Sequence, residues 1–184
     1  AGFHNQLPEP LTSSVVDDLE FDNIIAELKR YSLIYVSGDS ISVHQLVQAV
    51  TREKLSHDDK KKWSALSIQV VNNAFHFNQY DMETWKECEA LLPHALASIR
   101  YAEELEVAQE TIPELLSKVG LYQSNLPNYI SAKYSLEKAL AIDEKELGPE
   151  HIGVAKDANN LGIVLQDMGD LTGAKLCFER ALQI

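Results

Sequence analysis

The chain has 184 residues, 45% of them hydrophobic, and a formal net charge of −12. Its length allows one or two domains, and the absence of a basic segment argues against a nucleic-acid partner. No apolar run approaches the ~18 residues that a membrane-spanning helix needs, so no membrane partner is predicted either.

The first 55 residues predict a helix, a β-hairpin and a second helix, preceded by a loop or short helix over residues 1–20. Apolar side chains from Phe21 to Tyr31 follow helical spacing. Leu33–Val36 and Ile41–Val43 are strand-like and flank the turn sequence Ser37-Gly38-Asp39-Ser40. Helical spacing then resumes and continues to Leu55, so residues 1–55 are predicted to form one module.

Residues 56–110 predict two linker helices that pack on the segment that follows. Ser56-His57-Asp58-Asp59 has the Ser-x-x-Asp form of a helix start. The predicted inward side chains of this helix are Trp63, Leu66, Val70 and Phe75. A loop is predicted from Asn72 to Tyr80, after which Asp81 is expected to cap the next helix. Pro93 is expected to kink or restart that helix.

The segment from 111 to 184 repeats itself at a spacing of 42 residues. The residues of 135–142, Ser-Leu-Glu-Lys-Ala-Leu-Ala-Ile, align with Cys-Phe-Glu-Arg-Ala-Leu-Gln-Ile at 177–184. Such a period indicates stacked helix pairs, which form binding surfaces more often than active sites. The predicted helices are Ile112–Gln123, Tyr129–Leu147, Val154–Met168 and Leu171–Ile184.

Glycine and other small residues occupy equivalent places in the two repeats. Gly148-Pro149 and Gly169-Asp170 are predicted to end helices. Gly120, Gly162, Ala132 and Ala174 are predicted to lie where antiparallel helices approach closely, because larger side chains there would push the helices apart. The chain begins without a methionine and ends at the edge of a repeat, and we interpret it as a piece of a longer protein.

These repeats resemble tetratricopeptide repeats, through Leu161-Gly162 in the first helix of a pair and Ala174, Phe178 and Ala181 in the second. The 42-residue length, with Gly148-Pro149-Glu150-His151 between the units, resembles the kinesin-light-chain type. The resemblance implies a mainly α fold, a helical-repeat superhelix, with a concave groove that binds a protein or peptide. The implied groove residues are Glu114, Ser117, Lys118, Lys156, Asn159, Asn160, Gln166 and Asp167.

The two asparagines of this set have two interpretations. An amide both donates and accepts hydrogen bonds, so Asn159 and Asn160 are suited to binding the backbone of an extended peptide. The alternative is that both are solvated residues on the polar face of an amphipathic helix. Self-association through the repeats is a further alternative for the same surface.

The segment Val43-His44-Gln45, after the predicted hairpin, resembles the end of the winged-helix part of STAND ATPases of the NB-ARC type. The resemblance implies that His44 contacts the β-phosphate of ADP in the inactive state of the full-length protein. Val43 and Gln45 replace the Met and Asp of that family's motif. ADP or ATP would be a ligand of the full-length protein only, since this chain lacks the Gly-x-x-x-x-Gly-Lys-Ser/Thr loop that holds phosphates.

The leading hypothesis is therefore a non-enzymatic interaction and sensor segment of a cytoplasmic STAND-type signalling ATPase. A kinesin-light-chain-like adaptor without an ATPase core is the alternative, and a winged-helix DNA-binding regulator is the weakest candidate because its hairpin carries no Lys or Arg. No catalytic set, metal-ligand spacing or cofactor motif is recognisable. Cys88 and Cys177 are far apart, as expected in a reducing compartment.

Overall fold

A computed structural model describes residues 18–38, 40–126 and 128–184. The described residues are mainly helical, as predicted, and contain one β-hairpin. The elements in chain order are α1 Asp18–Arg30, β1 Ile34–Ser37, β2 Ser40–Val43, α2 Gln45–Lys54, α3 His57–Ala74, α4 Met82–Glu104, α5 Thr111–Ser124, α6 Tyr129–Leu147, α7 Ile152–Asp167 and α8 Leu171–Gln183. The loop or short helix predicted before Asp18 lies outside the described residues. None of the described helices is both long and apolar enough to cross a bilayer.

The chain divides into two compact units, residues 1–66 and 67–184, and the division falls inside α3. The three-part organisation predicted from sequence, with boundaries after residues 55 and 110, stays a prediction. In the first unit the hairpin pairs Ile34 with Val43 and Val36 with Ile41, in antiparallel register. Helix α2 buries none of its described side chains, so this unit presents apolar surface such as Leu46 to solvent.

The two predicted helix starts in the linker are confirmed. Ser56 Oγ accepts a hydrogen bond from the Asp59 N–H (3.1 Å) and donates to Asp59 Oδ2 (2.6 Å). This reciprocal pair satisfies one of the N–H groups that a helix start leaves free. Asp81 Oδ1 accepts from the Glu83 N–H at 3.0 Å, which caps α4.

Two linker predictions are wrong in detail. Helix α3 continues to Ala74, so the loop begins at Phe75 and not at Asn72. Val70 is 39% exposed, and Ile68 takes the inward position. Pro93, which was predicted to kink or restart its helix, lies inside α4, and the helix continues through it. The packing of side chains on both sides of the proline, such as the buried Cys88 and Ala95, offsets the backbone hydrogen bond that proline removes.

The four repeat helices agree with their predicted bounds to within two residues. Gly148 and Gly169 have φ values of 93° and 83°, a conformation that glycine adopts without steric cost. Both lie just past helix ends, as predicted.

Two apolar clusters form the core of the second unit. The first joins the end of α3, α4 and α5, and reaches Ala139 on α6. The second joins α6, α7 and α8 around Leu136, Leu161 and Val164. Since α6 contributes to both clusters, the linker helices and the two repeats share a continuous core.

The predicted close approaches at glycine are confirmed. A Cβ on Gly120 would lie 2.7 Å from Leu136 Cγ and 3.3 Å from the Ala132 carbonyl oxygen. A Cβ on Gly162 would lie 2.6 Å from Phe178 Cε1. These distances are shorter than van der Waals contact, so a side chain would force the paired helices apart, at a cost of about 1–3 kcal/mol. The glycines therefore fix the spacing within each helix pair and, through it, the direction of α5 and α7.

Candidate functional site

Helices α5 and α7 are the first helices of their respective repeats and lie side by side. The direct link between them is a hydrogen bond from Ser117 Oγ to Asp157 Oδ1, at 2.5 Å. Ser117 is 4% exposed and Asp157 is 3% exposed, so the link is buried. The groove residues implied by the resemblance lie on these two helices.

A cavity of about 140 Å³ opens between α5, α7 and the last turns of α6. We call it the acidic cavity, because Glu110, Glu114, Asp143 and Asp157 line it and Lys156 is the basic side chain beside them. It brings together three of the predicted groove residues: Glu114, Ser117 and Lys156. A surface with this charge is suited to a positively charged group.

Burial raises the pKa of two of these carboxyl groups. Desolvation is the main cause that raises the pKa of Asp157 to about 6, and the nearby Asp143 adds to it against the Ser117 hydrogen bond and Lys156. The pKa of Asp143 is also raised, again mainly by desolvation, which outweighs His151 and Lys156. Both groups are therefore held in surroundings that disfavour their negative charge.

Lys118 and Glu114 form a second polar group at the edge of the cavity. Lys118 Nζ donates to the Asn72 carbonyl oxygen (2.8 Å) and side-chain Oδ1 (2.9 Å), and it lies 2.9 Å from Glu114 Oε1. Desolvation raises the pKa of Glu114, but hydrogen bonds from Lys118 and Asn72 outweigh it and the net direction is downward. Lys118 thus connects α5 to the end of α3, and its ammonium group is occupied within the protein.

The predicted asparagines point to different environments. Asn159 is exposed and lines a shallow depression beside the apolar Ile152, Phe178 and Leu182. Asn160 is 8% exposed, and its Nδ2 has no hydrogen-bond partner among the described residues. Neighbouring residues of a helix are about 100° apart, so the two amides do not share a face.

The remaining predicted site residues lie elsewhere. Gln166 and Asp167 are exposed in the last turn of α7. In the first unit, His44 caps α2, where its Nδ1 accepts a hydrogen bond from the Leu46 N–H at 3.2 Å. Since Nδ1 accepts this bond, Nε2 of the exposed side chain is the ring nitrogen left to donate.

Sequence reasoning missed Asp157, Asp143 and Glu110. The repeat itself held a signal for the first of them, because Asp157 stands 42 residues after Leu115. Leu115 is fully buried in the first repeat. A carboxylate at the equivalent core position of the second repeat is a departure that the alignment of the two repeats exposes.

Comparison with known proteins bears on both halves of the chain. Residues 111–184 match the family model described as "Tetratricopeptide repeat". The chain is also similar to a "Nucleotide-binding leucine-rich repeat (NLR)-like protein" of Hyaloscypha variabilis. The two sequences are 29% identical over 137 residues, a stretch that covers 72% of this chain. The chain spans 14% of the length of that relative. The family match supports the prediction that residues 111–184 are tetratricopeptide repeats, a kind of repeat that mediates protein–protein interaction.

Proposed function

We propose that this chain is an interaction and sensor segment of a cytoplasmic STAND-type signalling protein, and that its repeats bind an extended peptide segment of a partner. The observation that carries the proposal is the tetratricopeptide match over 111–184, where α5 and α7 are joined side by side by the Ser117–Asp157 hydrogen bond. The likeness to an NLR-like protein supports the signalling context.

The peptide would lie along α7 and contact the exposed side chains of Lys156 and Asn159. Asn159 can offer both a donor and an acceptor to a peptide bond, because its amide is exposed on the first helix of the repeat. Asn160 is buried, so it would contribute to the packing of the helix pair and would not contact the peptide. Of the two asparagines, Asn159 is thus the one that we propose to contact the peptide.

The binding test uses a phage-displayed random peptide library selected on the 184-residue chain. For a selected peptide, Asn159→Ala should weaken binding about 3–10-fold in fluorescence anisotropy, the loss expected for one hydrogen bond. Asn73→Ala is the matched control, since Asn73 is also an exposed helical asparagine but lies on α3. Failure to select any peptide, or equal effects of the two substitutions, would contradict the proposal.

His44 would serve the nucleotide switch of the full-length protein. Its exposed Nε2–H is available to a phosphate oxygen, while Nδ1 holds the start of α2. In the full-length protein, His44→Ser should speed ADP release and raise basal activation, because a contact specific to the inactive state is lost.

The choice of serine separates this role from helix capping. Serine is a good N-cap residue, so His44→Ser preserves the capping function that His44→Ala would also remove. His57→Ala, at the exposed start of α3, is the control. If ADP release were unchanged in His44→Ser and faster only in His44→Ala, His44 would act only as a helix cap.

Two alternative functions compete with this proposal. A stand-alone adaptor of kinesin-light-chain type would lack a P-loop in the full-length sequence, and a P-loop within the ~300 residues before residue 1 would eliminate it. Self-association through the repeats is supported by apolar side chains at the last helix, where Leu182 is 86% exposed.

A further inference from the structure

Asp157 has one carboxylate oxygen paired and one unpaired. Oδ1 accepts the Ser117 hydrogen bond, whereas Oδ2 is buried and has no hydrogen-bond partner among the described residues. The side chain as a whole is 3% exposed and lines the acidic cavity. A buried polar atom of this kind is costly, and folded proteins nearly always give such atoms a partner.

The charges around this oxygen specify what kind of partner it would accept. Four carboxylates and one ammonium group, that of Lys156, are among the side chains that line the acidic cavity. Lys118, the basic residue of α5, is occupied by Glu114 and Asn72. The acidic cavity therefore has more negative than positive side chains in its lining.

An organic cation fits this cavity better than a metal ion. Within residues 18–38, 40–126 and 128–184, no group of three or more His, Cys, Asp or Glu side chains is arranged to hold a metal. A lysine or arginine side chain needs no such cage. It brings donors to a carboxylate on a flexible apolar stem, and charge-assisted hydrogen bonds of this type are among the stronger ones.

We propose that the acidic cavity binds a lysine or arginine side chain of the peptide in the groove, with Asp157 Oδ2 as the principal acceptor. This inference rests on the proposed function and makes it more specific. Asp143 and Glu114 would surround the cation, and Lys156, which is exposed, would turn toward solvent as the peptide binds. The partner is thus a protein segment with a basic residue at a fixed position.

The test selects the same random peptide library, at neutral pH, on the wild-type chain and on Asp157→Asn in parallel. Peptides selected on the wild type should share Arg or Lys at one position, and those selected on the variant should not. For one selected peptide, replacing that arginine by citrulline, which has nearly the same shape and no charge, should weaken wild-type binding at least about 10-fold. Against Asp157→Asn the same replacement should change affinity less than about 3-fold.

The outcomes distinguish the inference from the proposed function. Peptides that bind in an Asn159-dependent manner but show no basic preference would overturn the cavity assignment and leave groove binding intact. Failure to select any peptide would contradict both the inference and the proposed function. Binding that disappears in EDTA and returns with Ca²⁺ or Mg²⁺ would also overturn the inference, because a metal ion would then occupy the site. The citrulline measurement needs only the wild-type chain, so equal binding of the arginine and citrulline peptides would overturn the inference even if Asp157→Asn does not fold.

Discussion

Replacing Phe75 by alanine should lower the free energy of unfolding by about 3–5 kcal/mol, the range for deleting a fully buried phenylalanine. Phe75 is 0% exposed and follows directly after α3. Its ring meets that of Tyr122, on α5, at a centroid distance of 6.0 Å and an interplanar angle of 81°. Phe77 extends the cluster by contacting both Tyr122 (5.5 Å) and Trp85 (5.4 Å).

The expected loss is large because this aromatic cluster joins the linker to the first repeat. Edge-to-face ring pairs add about 0.5–1.5 kcal/mol to the burial of apolar area. Removing Phe75 leaves a cavity between elements that come from distant parts of the sequence, and a fully packed core collapses only partly around it. The first repeat should therefore be destabilised together with the linker.

Denaturant unfolding followed by far-UV circular dichroism gives the measurement. Tyr80→Ala is the matched control, since Tyr80 is a nearby aromatic residue that is 88% exposed, and it should change stability by less than about 0.5 kcal/mol. Similar losses for the two substitutions would show that the linker does not share a core with the repeats.

Replacing Asp157 by asparagine should raise the free energy of unfolding at pH 7 by about 1–3 kcal/mol, because the raised pKa means that folding disfavours the charged form of this carboxyl group. Asparagine keeps the shape of the side chain and an acceptor for Ser117, and it removes the buried charge. Desolvation is the first cause of the raised pKa, so the charge is what makes the wild-type residue costly. The substitution should thus stabilise the fold and weaken binding of a basic peptide.

The pH dependence has a definite sign. The pKa of Asp157 is about 6 in the folded chain, against a reference value of 3.8. Between these values the folded state binds more protons than the unfolded state, so the Asp157 contribution improves as the pH falls and worsens as it rises through about 6. The stability difference between Asp157→Asn and wild type should accordingly be largest at pH 7 and shrink toward pH 4.

The difference between the two proteins is the quantity to measure, because other carboxyl groups titrate in the same range. Glu114, whose pKa is lowered, acts in the opposite direction and cancels in the difference. Asp167→Asn, an exposed site on the same helix, is the control and should change the free energy of unfolding by less than about 0.5 kcal/mol. If Asp157→Asn instead lowered the free energy of unfolding by the same amount at all pH values, the buried charge would not be what destabilises the wild-type fold.

The repeat helices were predictable because their signals are local. Apolar periodicity and the glycines after α6 and α7 define each helix within a few neighbouring residues, and the structure places the bounds within two residues of prediction. The end of α3 was harder to predict. The Asn72 carbonyl there accepts a hydrogen bond from Lys118, 46 residues away, and nothing near Asn72 in sequence reports that contact.

The geometry of the candidate site was predictable only in part. Family resemblance led to α5 and α7, and three of the residues that it implied line one cavity. It also treated Asn159 and Asn160 as equivalent, although helical geometry turns the second one inward. Asp157 was missed because a carboxylate within an apolar-periodic helix looks like a solvated residue until the neighbouring helix is known to cover it.

Because the carboxylate of Asp157 is buried, the thermal stability of the chain should report whether a cation is bound in the acidic cavity. A cation that pairs with Oδ2 in the folded chain, and has no such partner in the unfolded one, shifts the folding equilibrium by mass action. At a ligand concentration 100 times the dissociation constant, that shift is about 2.7 kcal/mol. A differential scan of melting temperature against candidate ligands would therefore identify the partner without any knowledge of the signalling output.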